Sequence, residues 1–168
     1  MRRREGDHEI EEYCLNVVNK MKFIADVMLG RLAKRMRLLG LDVLYDRTPN
    51  DNEIIGLSLE QDRVILTRDN ALSDRPLAEN HLFINSDFVQ EQVEQVLSSF
   101  PLEKRLDPFS RCSECNDPLD RITREEAQDL VPQHVYENNY LFLRCPRCKR
   151  TYWQGTHVMR MAIPGRKK

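Results

Sequence analysis

Four cysteines are spaced to close a metal site. Cys112 and Cys115 form one C-x-x-C pair, Cys145 and Cys148 form another, and residues 116–144 separate them. Four thiolates suit tetrahedral Zn²⁺ with every coordination position filled, which is a structural site rather than a catalytic one. A redox C-x-x-C is the competing reading, and two pairs at ribbon spacing speak against it. The fifth cysteine, Cys14, stands outside the pattern.

A second set of residues offers oxygen ligands. Short apolar runs end in acids: Asp26 in FIAD, Asp46 in VLYD, Asp69 in ILTRD and Asp87 in INSD, with Asp51 where a helix is expected to open. If the runs are parallel strands in register, several of these carboxylates converge beyond the strands' carboxyl ends, where open α/β sheets collect ligands. Crowded carboxylates repel one another unless a cation neutralises them, and a hard divalent ion, Mg²⁺ or Mn²⁺, takes oxygen ligands. Such an ion polarises a phosphoryl oxygen and activates water for in-line attack, which is phosphodiester hydrolysis. Each acid also has a plainer reading. Asp51 and Asp87 read equally well as helix N-caps, and Asp46 reads better as the start of a turn with Pro49 and Asn50. Asp26 and Asp69 interrupt apolar context and are the acids that a cap explains least. An aspartyl-phosphate mechanism starting from Asp26 would want D-x-D, and position 28 is Met.

Basic residues form the third set. RLAKRMR carries Arg31, Lys34, Arg35 and Arg37, of which Arg31, Lys34 and Arg35 are related by three- and four-residue steps and share a helical face. Such a face positions phosphates without reading bases; its plain alternative is a solvated helix surface. Arg68, beside Asp69, either braces that carboxylate or holds a scissile phosphate, and Arg63 extends the stripe.

Positioning these groups requires a layered domain. KFIA, LDVLY, RVILT and HLFIN read as strands, and RVILT, apolar without alternation, reads as buried on both faces. Helical stretches lie between them: MLGRLAKRMRLLG, with Met28, Leu32, Met36 and Leu39 inward and Gly40 as the stop; DNEIIGLSLEQ, opened by Asn50 or Asp51; a short one at NALSDRP; and SDFVQEQVEQVLSSF, opened by a Ser-Asp cap with Phe88, Val89, Val93, Val96 and Leu97 inward. Strands alternating with helices imply parallel pairing through right-handed crossovers. The chain divides into an extension (1–20), an α/β domain (21–100), a proline-containing linker (101–111) and a cysteine module with its tail (112–168). The opening is either an amphipathic extension carrying Ile10, Tyr13, Leu15 and Val17, or Met21 is the start. A net charge of −1 argues against coating polyanions by bulk attraction. Neither a signal peptide nor a membrane-spanning run is visible, so a reducing, cytoplasmic setting without disulfides is expected.

FIADVMLGRLAKRMRLLGLDVLYD, DRVILTRDNAL and the C-x-x-C, CPRC and YWQGTH ending together resemble the Mut7-C family from about Lys22 to Met161. Its most specific parts are D-x-M-L-G-x-L-A, L-T-R-D and Y-W-x-G-T-H. The resemblance implies an RNase-like domain of the PIN-like superfamily, a three-layer α/β fold on a short, mainly parallel four-stranded sheet, followed by a zinc ribbon. It further implies three or four acids around Mg²⁺ or Mn²⁺, cutting single-stranded or structured RNA. By position, the first-strand acid is Asp26, the L-T-R-D acid is Asp69, and Asp51 matches the acid opening the second helix, with Glu53 as competitor and Asp87 as a fourth member. Many PIN domains carry Glu where this chain has Asp51. His157 matches the family ending and reads as an RNA contact, a catalytic helper or, preferably, a local hydrogen-bonding residue. In the ribbon, Arg144, Arg147, Lys149, Arg150, Tyr152 and Trp153 combine charge with stacking surface, although Trp153 reads better as the ribbon's small core. The expected function is a metal-dependent ribonuclease whose ribbon aids RNA or partner binding. The alternative is a non-catalytic adapter that binds RNA or a ribosomal or tRNA-processing partner and uses its acids as caps.

Overall fold

The computed structural model describes residues 21–46, 50–102 and 105–153. The extension 1–20, Cys14, Pro49 and His157 lie outside the described residues.

Four strands form one sheet in the order β2-β1-β3-β4: β1 (Lys22–Ala25), β2 (Val43–Leu44), β3 (Arg63–Thr67) and β4 (His81–Phe83). All three pairings are parallel, with Phe23 opposite Val43 and Val64, and Leu66 opposite Leu82. Side chains alternate across the sheet, so each face of β1 and β3 feeds its own core. Phe23, Ala25, Val64 and Leu66 pack with Leu32, Ala33 and Met36 of α1 (Gly30–Leu38) and with Val93 and Val96 of α4 (Val89–Ser99). On the opposite face Ile24 and Ile65 meet Ile54 and Ile55 of α2 (Asp51–Gln61) and Leu72 of α3 (Asn70–Ser73). The result is a three-layer α/β domain in which every residue of β3 is buried, as its unalternating sequence predicts.

Local chemistry sets the helix ends. α2 opens on Asn50, whose side chain accepts from the Glu53 N–H while the Glu53 carboxylate accepts from the Asn50 N–H, a reciprocal capping box. α1 ends at Gly40, which adopts φ +88 and whose hydrogen faces the Asp107 carbonyl; a Cβ there would lie 2.3 Å from that oxygen. The first helix differs from expectation at its start. Asp26 caps a 3₁₀ turn at Val27–Leu29, which rotates Met28 out of the core to 65 % exposure before α1 begins. Phe88 also departs from its expected inward position. It is the N-cap residue of α4, one turn too early to join the Val93–Val96 stripe, and is 71 % exposed.

The cysteine module has an antiparallel sheet of β5 (Asp120–Ile122), β6 (Phe142–Arg144) and β7 (Thr151–Trp153), with short helices α5 (Arg124–Ala127) and α6 (Gln133–Asn138) between β5 and β6. Phe142, Ala127 and Val135 make a small core against which Trp153 packs. Described residues of the 101–111 stretch dock on the α/β domain: the Asp107 and Phe109 N–H groups donate to the Leu39 and Leu38 carbonyls, and Leu102 and Phe109 are buried.

Candidate active site and metal centre

Because the four strands run parallel, their carboxyl ends share one edge of the sheet. Asp26 follows β1 there, its N–H prolonging the ladder to the Leu66 carbonyl at 2.9 Å. Asp26 is 5 % exposed, and its carboxylate accepts from the Val27 N–H at 2.5 Å through Oδ1 and from the Thr67 hydroxyl at 2.9 Å through Oδ2. The same Thr67 oxygen accepts from the Asp69 N–H at 2.9 Å. Thr67 is fully buried, so one hydroxyl links the Asp26 carboxylate to the Asp69 backbone and joins the ends of β1 and β3. Asp69 itself caps α3, its Oδ1 accepting from the Ala71 N–H at 2.8 Å. Each carboxylate oxygen carries two lone pairs, so these bonds leave acceptor capacity at both acids.

The other expected acids have separate partners. Asp51 is the first residue of α2 and lies 4.0 Å from an Arg75 nitrogen. Asp87 pairs with Arg68, which thereby braces the loop after β4. Glu53 is held in the capping box and, with Asp46 and Glu60, lines a cleft of about 470 Å³ between the β2 edge and α2. Among the described residues, the four cysteines are the group of three or more ligating side chains gathered closely enough for an ion. The structure therefore joins two of the expected acids, Asp26 and Asp69, through a threonine that a search for charged ligands passes over. The signal was a Thr ending an apolar strand directly before Arg-Asp.

The basic stripe is thinner than its spacing suggests. Arg31 is exposed and Arg35 half-buried on α1, while Lys34 pairs with Glu114 at 2.8 Å. Arg37 is 2 % exposed and does not belong to the stripe: it donates to the Val43 carbonyl at 2.8 Å and to the Ser113 and Glu114 carbonyls at 3.1 and 2.8 Å. Burial lowers its pKa, against the raising influence of Cys112 and Glu114. Arg63 also leaves the stripe, because it opens β3 at the amino end of the sheet, away from the acids. There it donates to the Phe23 carbonyl and to Asp42. Asp42 further accepts from the Asn116 side chain at 2.8 Å, and Asn116 in turn accepts from the Val43 N–H. Burial would push the Asp42 carboxyl up, yet the Arg63 and Asn116 hydrogen bonds and the Arg63 and Arg111 charges outweigh it and hold the carboxyl below its ordinary range.

The cysteine pairs form two copies of one turn. In each, the second cysteine's N–H points at the first cysteine's sulfur, Cys115 to Cys112 at 3.4 Å and Cys148 to Cys145 at 3.5 Å. The next residue, Asn116 or Lys149, adopts positive φ and donates back to the first cysteine's carbonyl. All four sulfurs lie within 4.8 Å of one another, Cys112 and Cys148 at 3.6 Å. A tetrahedral Zn–S₄ centre with bonds of about 2.3 Å needs sulfur separations of about 3.8 Å. Burial pushes the Cys115 thiol up to about 12, with Cys148 and Cys112 adding to the effect. Burial also opposes ionisation of Cys112, but bonds from Tyr152 and the Cys115 and Glu114 backbone outweigh it and bring that thiol down to about 7. Four sulfurs this close ionise together only with a cation among them, so the donor set fits a divalent, thiophilic ion.

The family model described as Mut7-C RNAse domain matches residues 21–163. No curated protein and no solved structure matches the chain. No helix among the described residues is long and apolar enough to cross a membrane.

Proposed function

The chain belongs to the Mut7-C RNAse domain family, and from that premise we propose that it is a metal-dependent ribonuclease working at the carboxyl end of the parallel sheet. The observation that carries this reading is the Asp26–Thr67–Asp69 link, in which one buried hydroxyl donates to the Asp26 carboxylate at the end of β1 and accepts from the Asp69 backbone N–H at the end of β3. Asp26 and Asp69 are the residues that would hold Mg²⁺ or Mn²⁺, an ion usually bound by one or two carboxylates together with substrate phosphate. When bound, such an ion supplies charge neutralisation and an activated water for phosphodiester hydrolysis. Thr67 keeps the Asp26 carboxylate aimed across the β1–β3 edge. Asp51 and Asp87 act further out, on the arginines that border the mouth. Arg31, Lys34 and Arg35 steer the RNA backbone by charge, and Arg68 holds the Asp87 loop next to Asp69. The ribbon, with Arg147, Lys149 and Arg150 exposed on its second knuckle, adds a second cationic surface for RNA or a partner.

The test is cleavage of end-labelled single-stranded RNA, tRNA and single-stranded DNA by the zinc-loaded protein in Mn²⁺, in Mg²⁺ and with neither, with Asp69→Asn alongside. Metal-dependent cutting of RNA that disappears in the variant is expected. A second reading, the non-catalytic adapter, draws on a specific observation: Asp26 and Asp69 both cap turns, and Asp51 and Asp87 both face arginines. RNA binding by a folded protein that cuts nothing in any lane would select it.

A further inference from the structure

Phe88 stands 71 % exposed on a loop that is otherwise fully braced. Its N–H donates to the Ser86 hydroxyl oxygen at 3.0 Å, that hydroxyl donates to Glu91 at 2.6 Å, and the buried Gln92 side chain donates to the Ser86 carbonyl at 2.8 Å. The residue before it, Asp87, is tied to Arg68, the neighbour of Asp69. The ring is thus held out by a fixed backbone, while α4 directly behind it buries Val93 and Val96. Across the strand order, on the β1 side of the two acids, Met28 and Val27 are 65 % and 42 % exposed in the turn that Asp26 caps. The segments that follow β1 and β4 at the carboxyl end of the sheet thus both carry exposed apolar side chains, and Arg68 is tied to the segment that carries Phe88.

Leaving a phenyl ring in water forgoes the gain of burying it, and places where a local rule is broken on a rigid support are where binding is expected. The combination matches a ligand that presents a flat π-face beside an anionic backbone. In a duplex the base faces are hidden by stacking on one another, whereas unpaired bases can splay onto an aromatic side chain. We propose that Phe88 is the stacking platform for an unpaired nucleobase of the RNA strand whose backbone passes Asp26 and Asp69, and that it positions the scissile phosphate. This inference rests on the ribonuclease reading for its location.

The experiment measures binding of one RNA oligonucleotide containing 2-aminopurine, single-stranded and annealed to its complement, by the full zinc-loaded chain without added Mg²⁺ or Mn²⁺. Wild type, Phe88→Ala and Phe88→Trp are compared. An exposed ring contributes little to folding, so the three proteins should melt within a few degrees of one another. Affinity for the single strand should fall about tenfold in Phe88→Ala and return in Phe88→Trp, with 2-aminopurine quenching following the same order; the duplex should not distinguish the three. Undiminished single-strand affinity in Phe88→Ala, an equal loss on the duplex, or no single-strand binding by wild type would overturn the proposal. A parallel cleavage lane in Mn²⁺ separates the two claims: Phe88-dependent stacking without cutting ends the nuclease reading and with it the positioning role but keeps the stacking platform, and cutting that ignores Phe88→Ala ends this inference alone.

Discussion

At the amino end of the sheet, Asp42 accepts hydrogen bonds from Arg63 and Asn116, faces Arg111 at 3.7 Å, and lies where the first cysteine knuckle meets the α/β domain. At the carboxyl end, the Asp26 carboxylate accepts from the Thr67 hydroxyl and the Val27 N–H, and the Asp69 carboxylate accepts from the Ala71 N–H. The same residue type thus does two jobs at opposite ends of the same strands. Asp42 has cations supplied by the chain and contributes to holding two parts of the molecule together. Among the described residues no Lys or Arg pairs with Asp26 or Asp69, and both acids keep lone pairs to offer. An acid whose partners are all internal is structural, and one whose geometry is fixed by neutral donors is available for a ligand.

Zinc removal should break the amino end most severely. The first knuckle accepts across the joint through the Ser113 and Glu114 carbonyls and the Asn116 side chain, which also donates to Asp42, so stripping the metal with a chelator should unfold the ribbon and lower the melting temperature of the remainder; calorimetry with and without Zn²⁺ reads both. Structural zinc sites commonly contribute on the order of 10 kcal/mol. Arg37→Ala should cost about 3 kcal/mol, because it strands the Val43, Ser113 and Glu114 carbonyls while deleting the joint's buried cation; a denaturant midpoint unchanged from wild type would remove Arg37 from the joint. Asp69→Asn should do the reverse, lowering RNA cleavage by about a hundredfold or more while leaving stability within about 1 kcal/mol. Thr67→Val, which removes the hydroxyl clamp but preserves volume, should cost about 1 kcal/mol and some tenfold in rate. Equal damage to cleavage from Asp42→Asn and Asp69→Asn would erase the distinction between the two ends.

Acid should expose the smallest difference. The Asp42 carboxyl is held below its ordinary 3.8 and that of Glu114 below 4.5, the latter chiefly by the Lys34 hydrogen bond. A depressed folded pKa stabilises above the unfolded value and is lost as pH falls through the folded one. The joint should therefore keep its full contribution at neutral pH and weaken below about pH 4, read as a steeper fall in melting temperature for wild type than for Asp42→Asn between pH 5 and pH 3.

The strands of the α/β domain, its three-layer arrangement and the cysteine cluster were legible in the chain, because each is written in near neighbours, whereas β5 and helices α5 and α6 of the cysteine module were not. VIL without alternation reports two covered faces, Asn50 and Glu53 lie one helical turn apart, and C-x-x-C places two sulfurs in a single tight turn. Met28 and Phe88 defeated the same periodicity, since a capped turn before α1 and the late start of α4 shift each out of its expected stripe.

By itself the sequence determined the element order of the α/β domain, its parallel class, the clustering cysteines and the acids that end each strand, since propensity, capping and metal-ligand spacing all act over a few residues. Only the tertiary structure decided which charges remain available. Thr67 reaches Asp26 across 41 positions, Asn116 reaches Asp42 across 74, and Arg37 reaches Glu114 across 77. Burial and pairing depend on which surfaces the packed layers bring face to face, and no local pattern records that a basic helix residue will be enclosed by a distant knuckle's carbonyls while a phenylalanine beside the acids is left in water.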